Sequence, residues 1–171
     1  MIGRFQPFHN GHLQVIRGVS RQQDEVIIAI GSANESHTPR NPFTAGERYH
    51  MIQASLEAGD IENYSIVPVP DINRYAVWVA HVESYCPPFN GVVTRNPLTA
   101  TLFGERGYEI NEPTPVKRSD YSGTEIRKRM ADGDFWEDLV PPEVVDIIGV
   151  IDGVKRLQSI TKTEKGAVDD Q

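Results

Sequence analysis

The sequence predicts an α/β domain built on a doubly wound, parallel sheet. Three observations predict it: a near-continuous apolar run over 25–31, further short β-rich runs along the chain, and helical patterns of about ten residues or more between them. A strand covered by helices on both faces loses its in–out alternation, and a run such as Glu25-Val-Ile-Ile-Ala-Ile-Gly31 is what that produces. Right-handed crossovers would gather the strand C-terminal ends on one edge, where ligands bind.

Each element has its own signal. After the run Glu25–Gly31 come strand candidates at Tyr64–Val69, shortened by Pro68, then Gly91–Thr94 and a short Gly107–Ile110. Leu13, Ile16 and Val19 share one face of a helix that opens near Asn10. Thr44 and Glu47 have capping-box spacing ahead of Met51, Ile52, Ala54 and Leu56. A third helix runs from Ala76 to about Tyr85 and is closed by Pro87-Pro88. Ser122 and Glu125 repeat the capping-box spacing and open a fourth helix through Met130. Pro141-Pro142 begins a last helix with Val144, Val145, Ile147, Ile148 and Ile151 apolar, and the polar tail from about residue 161 is expected to fray. Residues 1–171 read as a single domain.

The totals exclude several classes. No apolar run approaches the roughly 18 residues needed to span a bilayer, and no leader-like h-region is present, so a cytoplasmic protein without membrane contact is expected. The lone Cys86 excludes an internal disulfide framework and a multi-cysteine zinc site. A formal charge of −7 is the wrong sign for a broad nucleic-acid face, so no nucleic-acid partner is expected. Any phosphate must instead be met by local cations. Of the seventeen basic residues only Lys117, Lys128, Lys155, Lys162 and Lys165 are lysines, and arginine's planar fork suits phosphate.

The stretch Gly3-Arg-Phe-Gln-Pro-Phe-His-Asn-Gly-His12 carries the most chemistry. Its glycine permits close backbone approach, and His9 and His12 fall on one helical turn at a helix start. Helix N-terminal amides favour an anion there, and imidazoles can donate to it. A His-x-x-His pair could also hold a metal, but no third ligand is evident, so no protein metal site is expected. Ser122, Thr124 and Arg127 make a similar arrangement at a second helix start: a cap, a hydroxyl and a cation one turn in.

These blocks resemble the HxGH nucleotidylyltransferase superfamily in its archaeal nicotinamide-mononucleotide (NMN) adenylyltransferase form. The match runs from Gly3 to about Val154 and includes Tyr121-Ser-Gly-Thr-Glu-Ile-Arg127, similar to the superfamily's S/T-x-T-x-x-R motif. The resemblance implies a Rossmann-like nucleotidylyltransferase fold, with its first strand truncated to Met1-Ile2. It further implies that His12, His9 and Arg127 are catalytic, with His12 stabilising charge that develops on the ATP α-phosphate. Gly3, Arg4, Phe5, His9, His12, Ser122, Thr124 and Arg127 would bind ATP. His37–Arg48 looks like the family's next loop, which implies that Arg40 reaches the triphosphate; Arg48 reads as an ordinary solvated helix arginine. Asn96, in an Asn-Pro that is also a common turn, would contact the nucleotide.

Val69–His81 resembles the NMN-binding segment, which implies that Asp71 and Ile72 hold the amide and ribose and that Trp78 stacks on the nicotinamide. A pyridinium over indole is worth roughly 0.5–2 kcal/mol. Valines beside Trp78 leave a core role open as well. The implied reaction moves AMP from ATP to NMN, giving NAD and pyrophosphate, with Mg²⁺ carried mainly on the ATP phosphates. A homo-oligomer, a hexamer in archaeal members, is implied too. Two alternatives stay open: an adenylyltransferase for phosphopantetheine or FMN, and a nucleotide-binding domain that has lost catalysis.

Overall fold

The computed structural model describes residues 1–113 and 121–169. The order is β1 (Ile2–Gly3), α1 (Asn10–Ser20), β2 (Val26–Ile30), α2 (Ala45–Glu57), β3 (Tyr64–Pro68), α3 (Tyr75–Tyr85), β4 (Gly91–Val93), α4 (Pro97–Gly104), β5 (Glu109–Asn111), α5 (Gly123–Asp132), α6 (Pro142–Val150) and α7 (Gly153–Asp169). Strand and helix alternate as the apolar runs require, and every strand pairing is parallel.

β2 organises the molecule. Val26, Ile28 and Ile30 enter a core with α1, α2, α5, α6 and α7. Ala29 faces the other way, into a second core with Val79 and Val82 of α3, Val92 of β4 and Phe103 of α4. Burying one such aliphatic side chain contributes roughly 1.5–3 kcal/mol, so the two faces together fix the strand's place. That two-sided cover is why residues 25–31 read as a continuous apolar run.

The sheet is not continuous. β1, β2 and β3 form one sheet in that order, and β4 pairs with β5 in another. β1 contributes two residues, Ile2 opposite Ala29 and Gly3 opposite Ile30, whereas β3 pairs β2 along its whole length. The Met1 amino group adds one bond to the Ile27 carbonyl at 2.7 Å. Between the two sheets lies a cleft of about 610 Å³ with Ile27 on one wall and Val93 on the other. The short first strand expected from the sequence is therefore present as a two-residue strand, and the single sheet becomes two.

Three local expectations need correction. The last helix is two helices, because the chain turns at Asp152 (φ 52°) before α7. The tail continues as helix to Asp169 rather than fraying from residue 161; Leu157 is buried and Gln158 Nε2 donates to the Met130 carbonyl at 3.1 Å, which anchors the helix against α5. Residues 170 and 171 lie outside the described residues. The capping box at α5 does not form: Ser122 makes no side-chain cap, and Glu125 is drawn instead to Arg129 at 2.9 Å. By contrast Thr44 and Glu47 cap each other's amides, as their spacing predicts.

Candidate active site

The C-terminal ends of β1 and β2 deliver the site. Leaving β1, the chain passes Arg4 and Phe5, crosses a cis Gln6–Pro7 peptide and enters α1. Gln6 is buried and locked to Phe43 in both directions: its Nε2 donates to the Phe43 carbonyl (2.8 Å) and its Oε1 accepts from the Phe43 amide (3.0 Å). This joins the first loop to the loop carrying Arg40. Phe5, expected at ATP, is buried, and its ring meets His12 edge-on at 4.8 Å. Gly11 is required by contact: a Cβ there would stand 2.9 Å from Tyr121 Cβ, just before α5. Two motifs far apart in sequence are thereby held against each other.

His9 and His12 form the start of α1. His9 is the N-cap; its Nδ1 accepts from the His12 amide, and His12 Nδ1 accepts from the His9 amide, each at 3.3 Å. The rings stack with centroids 3.4 Å apart. With both Nδ1 atoms accepting, each neutral ring must carry its proton on Nε2, which makes Nε2 a donor. Burial pushes His9 down to about 4, and burial together with the neighbouring His9 holds His12 well below the usual imidazole value. The pair is neutral near pH 7.

Four arginines belong to the same loops and the helices that follow them. Arg127 is buried and donates to the carbonyls of Gln6 (2.7 Å) and Pro39 (3.1 Å) and to Thr124 Oγ1 (3.4 Å). Burial first, then the charges of Arg4 and Arg40, brings its guanidinium down to about 10. Arg4, half-buried, donates to Asn41 Oδ1 at 3.3 Å and is lowered by burial and by Arg40. Arg40 is exposed at the rim. Arg48 is fully buried, contrary to the solvated helix arginine expected. Burial and Arg4 bring it down to about 10. Burial is the first cause in each case, and the repulsion among these cations adds to it.

α5 brings its N-terminus to the same loops. A Cβ on Gly123 would lie 3.1 Å from the Gln6 carbonyl and 3.2 Å from the Arg127 guanidinium, so a larger residue would crowd the approach. Ser122 and Thr124 flank it, with the Ser122 hydroxyl making no cap bond. Gly3, Arg4, His9, His12, Ser122, Thr124 and Arg127 are thus brought together, with Arg40 beside them.

The segment after β3 forms a second part. Asp71 is joined to the β2 loop: its amide donates to Asn34 Oδ1 at 2.7 Å. Asp71 and Ile72 remain partly exposed. Trp78 on α3 is half-buried, packed against the second core with its ring edge-on to Phe103 at 5.5 Å. It is therefore core on one side and open on another. Asn96 is the N-cap of α4, and its Oδ1 already accepts from the Thr99 amide at 3.1 Å. His81 is tied to the Pro70 carbonyl at 2.8 Å, which steadies the same segment. Among the described residues no group of three or more His, Cys, Asp or Glu could hold a metal ion, and no helix is long and apolar enough to cross a membrane.

The pattern of a family described as cytidylyltransferase-like matches residues 1–129. A curated nicotinamide-nucleotide adenylyltransferase of Methanolobus tindarius is 52% identical over 164 residues, covering 96% of this chain and 94% of that one. Relatives of the same name from Picrophilus torridus (47% identical, 96% of this chain, 98% of theirs) and Halobacterium salinarum (48%, 98%, 94%) agree. The chain belongs to the nicotinamide-nucleotide adenylyltransferase family. A bifunctional NMN adenylyltransferase/ADP ribose pyrophosphatase from Francisella tularensis, solved with AMP and a manganese ion, superposes with a TM-score of 0.78 at 23% identity. That match covers 99% of this chain but 53% of the other, and it bears on the fold.

Within this family fold, three contributors were not read from the sequence. Gln6 sits inside the first motif but gives no sign that it will face Phe43. Asn41 receives Arg4. Arg48 was read from helix position alone, and its real signal is that Ser55, Met51 and Ile52 of α2 are buried on the same helix.

Proposed function

We propose that this chain transfers AMP from ATP to NMN, giving NAD and pyrophosphate. The observation that carries the reading is the cluster of Arg4, Arg40 and Arg127 around the loop that leads from β1 into the stacked His9–His12 pair. The names borne by relatives near half identity support the same substrates. An oxygen of the NMN 5′-phosphate would attack the α-phosphorus in line while pyrophosphate leaves. Bringing two anions together is the main obstacle, so orientation and preplaced cations supply most of the catalysis. In this scheme the His12 and His9 Nε2–H groups donate to the phosphate oxygens on which charge grows. Arg4, Arg40 and Arg127 hold the triphosphate, with the Gly3 and Phe5 backbone, Ser122 and Thr124 beside them.

NMN would lie toward Asp71, Ile72 and Trp78, whose open face suits a stacked pyridinium. Asn96 Oδ1 accepts one bond from its own helix, and its amide nitrogen would be offered to the nucleotide. The arginines would hold the phosphates, and a Mg²⁺ ion would be carried by those phosphates and water rather than by carboxylates, neutralising phosphate charge. A cytoplasmic homo-oligomer belongs to the same reading, and light scattering on the purified chain measures its mass.

The test offers ATP and Mg²⁺ with NMN, phosphopantetheine or FMN in separate reactions, following pyrophosphate and dinucleotide. NAD from NMN alone is expected. A product from another acceptor in its place would overturn the assignment, and none from any would favour a binding domain.

A further inference from the structure

Arg48 is the least expected member of the site. It is fully buried, yet each of its hydrogen bonds among the described residues goes to a main-chain carbonyl. Its Nε reaches Thr44 (3.2 Å), one terminal nitrogen reaches both Arg4 and Gly31 (2.8 Å each), and the other reaches Ser32 (3.0 Å). The arrangement of these carbonyls matters. Arg4 precedes Phe5 and Gly31 precedes Ser32, and both Phe5 and Ser32 hold φ at 50°. A left-handed conformation is unfavourable for residues with a side chain and persists only where the surroundings enforce it. The guanidinium grips a peptide group beside each strained residue.

The two gripped turns are the loops that leave β1 and β2. The first carries Arg4 and leads to His9. The second leads to Asn34, which holds the Asp71 amide. One planar fork therefore sets both loops relative to each other. A lysine in the same place offers donors from a single point and lacks the fork's span.

We propose that Arg48 is a positioning residue of the nucleotide site, fixing the left-handed turns at Phe5 and Ser32 and thereby aiming Arg4 at the ATP phosphates. This rests on the reading of that site as the ATP site. Arg48 does not itself touch nucleotide. A displacement near 1 Å at reacting groups can cost about 100-fold in rate, which is the scale its loss should reach.

Arg48→Lys and Arg48→Ala test it, each compared with wild type for thermal midpoint, ATP affinity by calorimetry with Mg²⁺, and steady-state constants. For folded Arg48→Lys the expectation is a roughly 10- to 100-fold fall in kcat/KM for ATP, with KM for NMN within about twofold. Free guanidinium ion, kept below denaturing levels, should restore part of the Arg48→Ala rate, whereas urea should not. Three outcomes overturn the proposal: Arg48→Lys with a lowered midpoint but unchanged ATP constants, Arg48→Lys that does not fold, or a folded Arg48→Ala that guanidinium leaves unimproved. A wild-type chain that binds ATP without making NAD defeats the acceptor assignment alone, and the ATP affinity of Arg48→Lys then decides.

Discussion

His9 and His12 each do two things with one ring. The Nδ1 atoms supply what a serine or aspartate usually supplies to a helix start, and the Nε2–H groups are left without a part in the cap. Because burial holds both rings neutral, in the proposed reaction His12 would act as a hydrogen-bond donor rather than a cation. His12→Ala should lower turnover by about 10²–10³-fold while ATP affinity changes only a few-fold, since a donor aimed at developing charge matters most in the transition state. Equal losses in single-turnover rate and equilibrium affinity would instead assign the ring to binding. The pair also makes stability pH-dependent. As pH drops below the ordinary imidazole value near 6.5, the unfolded chain takes up protons that folded His9, at about 4, refuses. Stability should therefore fall from pH 6.5 toward 4 and be unaffected by His9 above that range. His9→Asn, which retains a good N-cap, should flatten the dependence of thermal midpoint on pH; an unchanged slope would rule His9 out as its source.

At the scale of elements, the capped start of α2 is a junction. Thr44 and Glu47 cap one another, and Arg156 of α7 reaches across with paired 2.8 Å bonds to both Glu47 oxygens. These bonds hold Glu47 below the usual carboxylate value against the opposing effect of burial. Thr44→Ala should cost about 1 kcal/mol in chemical denaturation, the usual worth of an N-cap. Arg156→Ala should cost a similar, partly solvent-screened amount of about 1 kcal/mol and loosen α7 from α2. Loss well beyond either figure in urea titrations would show that the junction also supports the Arg40 loop. Local signals made the capped start legible, as they did the apolar run of β2. What was not legible depends on partners distant in sequence. Glu125 obeys the same spacing rule as Glu47, yet Arg129 on the next turn takes it. Gln6, Asn41 and Arg48 find their partners across gaps of 16 to 44 residues that no periodicity encodes. The site's membership was visible through its motifs, while its internal wiring was not.

The whole molecule has two cores joined by β2, and only two residues of β1 between its sheets. The cleft of about 610 Å³ leaves strand edges open between walls that mix apolar side chains such as Ile27 and Val92 with polar ones such as Gln14 and Asn90, a surface that amphipathic probes and other strands can enter. The native chain should therefore enhance fluorescence of an anilinonaphthalene dye while retaining full near-ultraviolet dichroism. No enhancement would mean that the cleft is closed in solution. Trp78→Ala bears on the smaller core as well as on NMN: weakened NMN binding with ATP unchanged is expected, and a collapse of the thermal midpoint would make the indole chiefly a packing residue.

The interrupted sheet also divides the labour of unfolding. A continuous ladder would make the two halves melt as one, whereas here α3, β4, α4 and β5 can open while the larger core keeps β2. On warming, amide exchange should quicken first around Val79, Val92 and Phe103, so the chain would lose its grip on the acceptor while still holding nucleotide.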